Sequence, residues 1–374
     1  MLLKFGRRSS FHDNIRADVF AYFEETGFDQ QGGRMLFVKM IVFLFWFAAS
    51  YWLLVFYAHQ AWQAALLAVS LGLSIAGFNF NVNHDAMHDS YSRSRRINKI
   101  VSISSDIMGF SSYMWRWKHN VCHHGYTNVM GRDADLNPRV FRGVSKEFPM
   151  SGIYRFQYVY LWIAYCLLSL KRHWIDDFKY LIVGRVGTTS IRRPRFLETA
   201  WLLAGKVICA CWMLGIPLMR HRPSVVVLFY LITEFSLGFT LSVVFQFAHC
   251  VEQAEFVGDD DQFAFDWAVH QIESTADFCR GNALLTWYLG GLNYQIEHHL
   301  FPKISHVHYP ALAPVVERSC ERWGVRYSVH ESVGAAIKSH LHFLKRSSSK
   351  GRSHSSVGNA RPTVISRMLY RQQK

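Results

Sequence analysis

Residues 36–58 read LFVKMIVFLFWFAASYWLLVFYA and residues 61–82 read AWQAALLAVSLGLSIAGFNFNV, and these two apolar runs decide the fold. An α-helix needs about twenty apolar residues to cross a bilayer, because lipid cannot satisfy an open backbone. Only His59 and Gln60 separate the two runs. This short link predicts a helical hairpin that crosses the membrane out and back.

A second pair of apolar runs covers residues 201–219 and 224–247, again with a very short polar link. Half of the 374 residues are hydrophobic and 16% are aromatic, while only 18% are charged, which is fewer than a soluble domain usually carries. We therefore predict an all-α integral membrane protein. Its multi-pass core has four transmembrane helices in two hairpins, with spans at about 36–58, 61–82, 201–219 and 224–247.

The apolar stretch from Gly152 to Leu170 is ambiguous, since its hydropathy alone would allow a fifth span. A span there would export the segment from Lys171 to Glu198, which carries seven Lys or Arg residues. Positive charge tends to stay in the cytoplasm. We predict an interfacial helix, rich in Tyr and Trp, on the cytoplasmic face.

The remaining segments complete the predicted domain organisation. Residues 1–35 are polar, show no secretory signal and are predicted to be cytoplasmic, and residues 36–345 form the membrane domain. Residues 346–374 carry seven basic and no acidic residues, which predicts a disordered tail attracted to the membrane surface. The formal net charge is +14, and beside four spans it indicates lipid headgroups as the partner, not nucleic acid. Seven scattered cysteines without a CxxC pair indicate reduced thiols.

Three histidine clusters carry the chemistry: HDAMH at 84–88, HNVCHH at 119–124 and QIEHH at 295–299. Histidines four residues apart share one face of a helix, so the first cluster aims two imidazoles at one point. The second repeats this spacing and adds an adjacent histidine that can reach a neighbouring ion. Two spans separate the second cluster from the third, so all three lie on one side of the membrane.

One histidine pair on a helix is more often a surface or packing feature than a metal site. Three clusters on one membrane face supply seven imidazoles, which favours a metal centre, and imidazole suits iron, copper or zinc. A single tetrahedral zinc would use only four ligands, so seven or more imidazole ligands predict two metal ions. A zinc hydrolase is disfavoured because Asp85 stands where the HExxH pattern has glutamate. A metal transporter would need polar groups through the spans, which carry few besides Lys206 and Glu234.

The three clusters, within the stretches NHDAMHDSYS, WKHNVCHHGYTN, GRDADLNP and GGLNYQIEHHLFPKISHVHY, resemble the membrane fatty-acid desaturase superfamily over about residues 36–330. Gln295 at the head of the third cluster resembles front-end and linoleoyl-CoA desaturase-like bacterial members. The resemblance implies a cytoplasmic helical cap holding two irons, with ligands His84, His88, His119, His123, His124, His249, His298 and His299. It also allows Gln295 as a further iron-binding position.

The carboxylates near these histidines are candidates to orient the imidazoles through their second nitrogen. Asp85 and Asp135 are among them, together with Asp106, Asp133 and Glu297. Catalysis is expected to need no side chain beyond the iron ligands. Glu234, in the fourth span, has only Lys206 as an obvious partner, and a depth difference of roughly 12 Å argues against a direct pair.

The resemblance implies an O2-dependent enzyme that introduces a double bond into a long-chain acyl substrate, and Gln295 indicates the front-end side. The active site would face the cytoplasm. Electrons would come from a separate ferredoxin or cytochrome b5-type protein, because the chain has no HPGG string and no GxGxxG string. An acyl hydroxylase or acetylenase on the same scaffold stays open as an alternative. The acyl carrier is open among coenzyme A, a carrier protein and a glycerolipid.

Overall fold

The computed structural model describes residues 10–135, 152–258 and 266–349. Within these ranges the helices are α1 Ser10–Thr26, α2 Gly33–Phe56, α3 Ala61–Met87, α4 Arg95–Ile107, α5 Ser112–Trp115, α6 Gln157–Cys166, α7 Leu168–Lys171, α8 Asp177–Val183, α9 Phe196–Leu218, α10 Pro223–His249, α11 Trp267–Glu273, α12 Ala283–Tyr288, α13 Gln295–Leu300, α14 Tyr309–Trp323 and α15 Val333–Ser349. Two short strand pairs accompany them. They are β1 Arg185–Val186 with β2 Thr189–Ser190, antiparallel, and β3 Asp277–Phe278 with β4 Val329–His330, parallel.

Four of these helices, α2, α3, α9 and α10, are long and apolar enough to cross a membrane. The predicted fold class, an all-α membrane protein with four transmembrane helices, is confirmed. Two boundaries differ from the expected ones by five residues each. The helix α9 begins at Phe196, five residues early, and α3 continues to Met87 through a π-helical turn at Asn79–Asn83. This turn carries the helix directly into the first histidine cluster.

The helix α3 is central, because it packs against both α2 and α10. Its Gly72 lies directly against α10, where an added Cβ would sit only 2.6 Å from the Thr233 carbonyl oxygen. On α10, an added Cβ at Gly238 would lie 2.5 Å from the Cys166 carbonyl oxygen. Glycine is needed at both positions because the backbones approach too closely for a side chain. These contacts fix α3, α10 and the end of α6 side by side.

The ambiguous stretch is not a long helix. It forms a 3₁₀ turn at Gly152–Phe156, then α6 and α7, and a π-helical turn at Arg172–Asp176. This series runs alongside α10, where Ser242 Oγ donates to the Tyr165 carbonyl and Ser169 Oγ donates to the Glu234 carbonyl at 2.7 Å. The opposite face of α6 exposes Val159 and Ile163, and Leu167 directly after the helix is exposed as well. This row of apolar side chains suits contact with lipid.

Glu234 and Lys206 each have a partner in this neighbourhood, and they do not pair with each other. Glu234 Oε1 lies 3.0 Å from His173 Nδ1, and both side chains are buried. Lys206 Nζ lies 2.7 Å from Asp177 Oδ2 and donates to the Gly109 carbonyl. The expectation that Lys206 and Glu234 form no direct pair is confirmed.

The ends of the described chain are helical. Phe11 and Ile15 of α1 are buried in one cluster with Leu312 and Val316 of α14. At the other end α15 continues to Ser349, four residues into the segment that was predicted as a disordered tail. The rest of that predicted tail, and residues 1–9, lie outside the described residues.

Candidate metal centre

The three histidine clusters are delivered by three different elements. His84 lies near the end of α3 and His88 directly follows that helix. The second cluster lies on a π-helical stretch, Arg116–His123, and the third lies on α13. A fourth element, α10, ends at His249. All eight predicted histidines meet in one place.

Their ligand atoms form two groups with a link between them. One group is His84, His88, His119 and His298, and the other is His123, His249 and His299, each with ligand atoms within 4.8 Å of one another. His124 forms a further group with His298 and His299, and so lies between the two. The arrangement fits two adjacent ions better than one.

The second cluster is divided in a way that its spacing did not predict. An α-helix would place His119 and His123 on one face, but the π-helical stretch brings His119 next to His124, five residues on. Their Nε2 atoms are 3.1 Å apart. His119 therefore joins the first group, while His123 points to His249 and His299. A π-helical turn is frequent at functional sites for this kind of reason.

Unpartnered nitrogen atoms show that the site fits a metal. Buried polar atoms normally have a hydrogen-bond partner, and each orphan costs about 1–3 kcal/mol. Seven of the eight histidines nevertheless have a buried ring nitrogen with no partner among the described residues. The atoms are Nε2 of His84, His88, His123, His298 and His299, Nδ1 of His124 and both nitrogens of His249. Two coordinated cations would satisfy one nitrogen on each of these seven rings.

The electrostatic state of the imidazoles suits the same role. Burial lowers the pKa of His124, His298 and His299 well below the ordinary value, and their mutual repulsion as cations lowers it further. They are therefore neutral, which is the form that binds a metal. His123 differs: burial lowers its pKa, but the neighbouring Asp133 carboxylate outweighs burial and raises it.

Four residues orient the imidazoles from behind. Asp133 Oδ2 lies 3.0 Å from His123 Nδ1. Gln271 Oε1 lies 2.8 Å from His299 Nδ1, with Thr127 Oγ1 3.2 Å from the same nitrogen. The phenol OH of Tyr309 lies 3.2 Å from His298 Nδ1. Such contacts fix the ring orientation and leave Nε2 to face the ion.

Of these four, only Asp133 was a candidate from the sequence. Gln271 lies on α11 and Thr127 in a turn after the second cluster, and neither carries a spacing signal. Tyr309 could have been found from its place in HVHY, which lies within the stretch that carries the resemblance.

The other predicted residues lie close by with different contacts. Asp85 accepts hydrogen bonds from Ser305 and His306, and so holds the loop after the third cluster. Asp135 forms a salt bridge with Lys118, and one of its oxygens lies near His123 and Asp133.

Gln295 Nε2 donates to the Leu292 carbonyl, and its side chain lines the cavity described below. Asp106 accepts from the Ser112 backbone, and Glu297 accepts from the Tyr327 hydroxyl at 2.7 Å. These hydrogen bonds of Asp106 and Glu297 do not involve any of the eight histidines.

A cavity of about 380 Å³ opens against the histidines. His84, His119, His123, His249 and His298 line one part of it. Its apolar walls come from the spans and from the stretch beside α10, and they include Phe80, Phe110, Leu168, Leu241 and Val244. A small-molecule site is usually of this kind, mostly apolar with a few convergent polar groups.

Comparison with known proteins shows which family has this architecture. The fatty acid desaturase family model matches residues 60–330. The chain is 33% identical over 350 residues to the sn-1 linoleoyl-lipid 6-desaturase of Synechocystis sp., covering 92% of this chain and 97% of the relative. It is 32% identical to the Arthrospira platensis enzyme of the same name, covering 92% and 94%. It is 31% identical to an acyl-lipid (8-3)-desaturase of Physcomitrium patens, covering 91% and 72%.

The family match covers most of the chain, includes all three histidine clusters and agrees with the four apolar helices. The resemblance to bacterial and front-end desaturases that was read from the sequence is confirmed, as is the assignment as an oxidoreductase. The chain belongs to the fatty acid desaturase family and is a membrane-embedded member of it.

Proposed function

We propose that this chain is a front-end acyl-lipid desaturase that uses O2 and two histidine-bound irons to introduce a double bond near the carboxyl end of a long acyl chain. The observation that carries the proposal is the meeting of eight histidines, seven of them with unpartnered buried nitrogens, at the wall of an apolar cavity. Bound there, two irons would supply an oxidant able to remove hydrogen from an unactivated methylene.

The chain's own residues hold and orient the reactants. Asp133, Gln271, Thr127 and Tyr309 fix the imidazoles. The apolar walls of the cavity bind the acyl chain, exclude water and present its methylenes to the histidine face. Over one turnover two hydrogens leave the chain, and two electrons and two protons are also consumed, so that O2 becomes two molecules of water.

The relatives support a lipid-bound substrate. They are named sn-1 linoleoyl-lipid 6-desaturase and acyl-lipid (8-3)-desaturase, and both names describe an acyl group carried on lipid. We extend this lipid-bound substrate to the present chain, which places the acyl group on a glycerolipid in the bilayer. Gln295 lies at the cavity beside the histidines, and we propose that it marks this branch of the family without setting the bond position.

The electrons come from a separate ferredoxin or cytochrome b5-type donor that approaches the cytoplasmic face. This orientation rests on the seven basic residues between Lys171 and Glu198 and on the four spans. Labelling with a membrane-impermeant maleimide tests it, using Lys179→Cys and Gln60→Cys in a Cys211→Ser background. The proposal requires that only the Gln60→Cys variant reacts in intact cells, and reaction of Lys179→Cys would contradict it.

The activity itself is tested by expression with a compatible donor in cells fed defined fatty acids. The expected product has one new double bond on the carboxyl side, located by mass spectrometry of derivatised fatty acids. A hydroxylated or acetylenic product would establish one of the alternative chemistries. A double bond only toward the methyl end would refute the front-end assignment.

A further inference from the structure

The cavity has a group of charged lining residues, its charged end, that the proposed chemistry does not use. The group consists of Lys118, Asp135, Lys171 and Arg172, and Tyr180 also lines the cavity. Two of the three cations are neutralised by carboxylates. Lys118 forms a salt bridge with Asp135, and Lys171 Nζ lies 2.9 Å from Asp176 Oδ2.

Arg172 is the cation without a direct ion pair, because the carboxylate near it, Asp135, is already paired with Lys118. It makes no ion pair or hydrogen bond within residues 10–135, 152–258 and 266–349, and its guanidinium lies 5.9 Å from the centroid of the Phe110 ring. Arg172 is half-buried at the cavity wall, and the three cations there meet only two carboxylates, so the excess positive charge suits an anionic ligand. Guanidinium also matches phosphate oxygens in a bidentate geometry.

The surroundings indicate where this ligand comes from. Lys171 is about half exposed, with 47% of its side chain accessible. It lies in a row with Ile163, Leu167 and Ile175, spaced four residues apart, and all three are exposed apolar side chains. A lysine within such a row covers apolar surface with its stem and keeps its ammonium at a polar boundary. This end of the cavity therefore opens at a lipid–water boundary.

The charged end also lies close to the histidines. Lys118 directly precedes His119, and an oxygen of Asp135 lies within 4.8 Å of the ligand atoms of His123 and Asp133. A headgroup held there would leave the first carbons of its acyl chain beside the histidine face.

We propose that Arg172 binds the phosphate of an anionic glycerolipid that enters from the bilayer, with Lys118 and Lys171 completing a cationic rim. The acyl chain then passes the histidines with its carboxyl end nearest to them. This inference rests on the proposed function for the identity of the ligand, and it adds the headgroup class and the residue that recognises it.

The test uses the full-length, iron-loaded protein in nanodiscs and four forms: wild type, Arg172→Gln, Arg172→Lys and Arg155→Gln. Arg155 is an exposed arginine of the same stretch that does not line the cavity, which makes it a matched control. Iron per chain and a monodisperse elution profile show that each variant is folded. Binding of fluorescent phosphatidylglycerol and the KM and kcat with phosphatidylglycerol, a neutral galactolipid and acyl-CoA are then measured.

We expect Arg172→Gln to weaken phosphatidylglycerol binding and raise its KM by about ten- to a hundredfold, as for loss of a charge-assisted hydrogen bond. The KM for the galactolipid stays unchanged, Arg172→Lys recovers most of the binding, and Arg155→Gln matches wild type. Equal KM values for Arg172→Gln and Arg155→Gln, or equal losses with both lipids, would overturn the proposal. A loss confined to acyl-CoA would assign Arg172 to coenzyme A and overturn the lipid source. Lipid binding through Arg172 by a protein that desaturates none of these substrates would refute the proposed function alone.

Discussion

Replacing Asp133 by asparagine isolates the contribution of one orienting carboxylate. Asp133 Oδ2 accepts from His123 Nδ1 and from the Asn128 backbone N–H, both at 3.0 Å, and its Oδ1 accepts from the Asp135 backbone N–H at 2.9 Å. Asparagine keeps the shape but has a single acceptor oxygen. It can retain the two bonds at the Oδ2 position only by turning its NH2 group toward the Asp135 N–H.

The expected cost follows from this geometry. His123 keeps a hydrogen-bond acceptor but loses the negative charge that raises its basicity, and loss of such an outer contact typically lowers metal affinity by about 10- to 100-fold. This corresponds to about 1.4–2.7 kcal/mol. Alanine would strand three buried donors at about 1–3 kcal/mol each, which is why it would report on folding instead of metal binding.

The assay is iron retention under chelator competition. Purified Asp133→Asn, wild type and Asp29→Asn are dialysed against increasing chelator, and iron per chain is measured by mass spectrometry. Asp29 is an accessible aspartate paired with exposed Arg93 far from the histidines in sequence, and it serves as the charge-matched control. We expect half-loss of iron at about 10- to 100-fold lower chelator for Asp133→Asn only. If Asp133→Asn and Asp29→Asn retain iron equally, Asp133 does not orient a ligand.

Three further predictions follow from single residues. His124→Ala removes the histidine between the two groups, so we expect fewer than two irons per chain and no activity. The control His59→Ala, at an exposed position, should keep both irons and the activity. Two irons per chain and normal turnover in His124→Ala would refute the ligand assignment. Gln295→His changes rate or iron affinity and leaves the double bond in place, and a bond that moves, as read by mass spectrometry, would show that this side chain governs position. Burial and nearby Glu255 raise the pKa of Glu273 to about 7 from 4.5, so the folded state binds this proton more tightly and stability falls as pH rises between those values. Glu273→Gln therefore raises the free energy of unfolding at about pH 8, by on the order of 3 kcal/mol at most, and a higher thermal unfolding midpoint reports this change. An equal rise in exposed Glu321→Gln would contradict this origin.

Local sequence patterns predicted the spans and the histidines well, because both depend on neighbouring residues. Twenty apolar residues in a row leave few structures other than a membrane helix. The His84 and His88 spacing likewise carries its geometry with it, and the structure brings these two rings together. The same rule failed for His119 and His123, because a π-helical turn changes which residues share a face, and its occurrence depends on contacts elsewhere in the fold.

Contacts between distant segments could not be predicted in the same way. Gln271 meets His299 across 28 residues, and Thr127 meets the same ring across 172. Amide and hydroxyl side chains occur throughout the chain, so their identity gives no sign of such a partner. The partner of Glu234 could not be predicted from the sequence either. His173 lies in a stretch whose path along α10 is set by packing at Gly238.

Polar side chains within the apolar helices have a common role in aligning the site. Lys39 of α2 donates to Asn81 Oδ1 at 2.6 Å and lies 2.9 Å from His306 Nε2, and His306 in turn binds Asp85 beside the first cluster. In the same way α9 and α10 each pair with the stretch that lines the cavity, through Lys206 to Asp177 and through Glu234 to His173. A polar group is expensive in lipid, and a buried pair adds little net stability.

The energetic effect of these pairs lies in what a misaligned helix would cost. If α9 or α10 slipped by one turn, Lys206 or Glu234 would lose its partner, and an uncompensated buried charge costs about 3–5 kcal/mol. Apolar surfaces alone would tolerate such a slip far better, because Leu, Val and Phe contacts are largely interchangeable. The histidines, by contrast, must meet within a few ångströms. Glu234 is therefore best understood as part of the alignment of α10 and the cavity wall, which places His249 opposite His123 and His299.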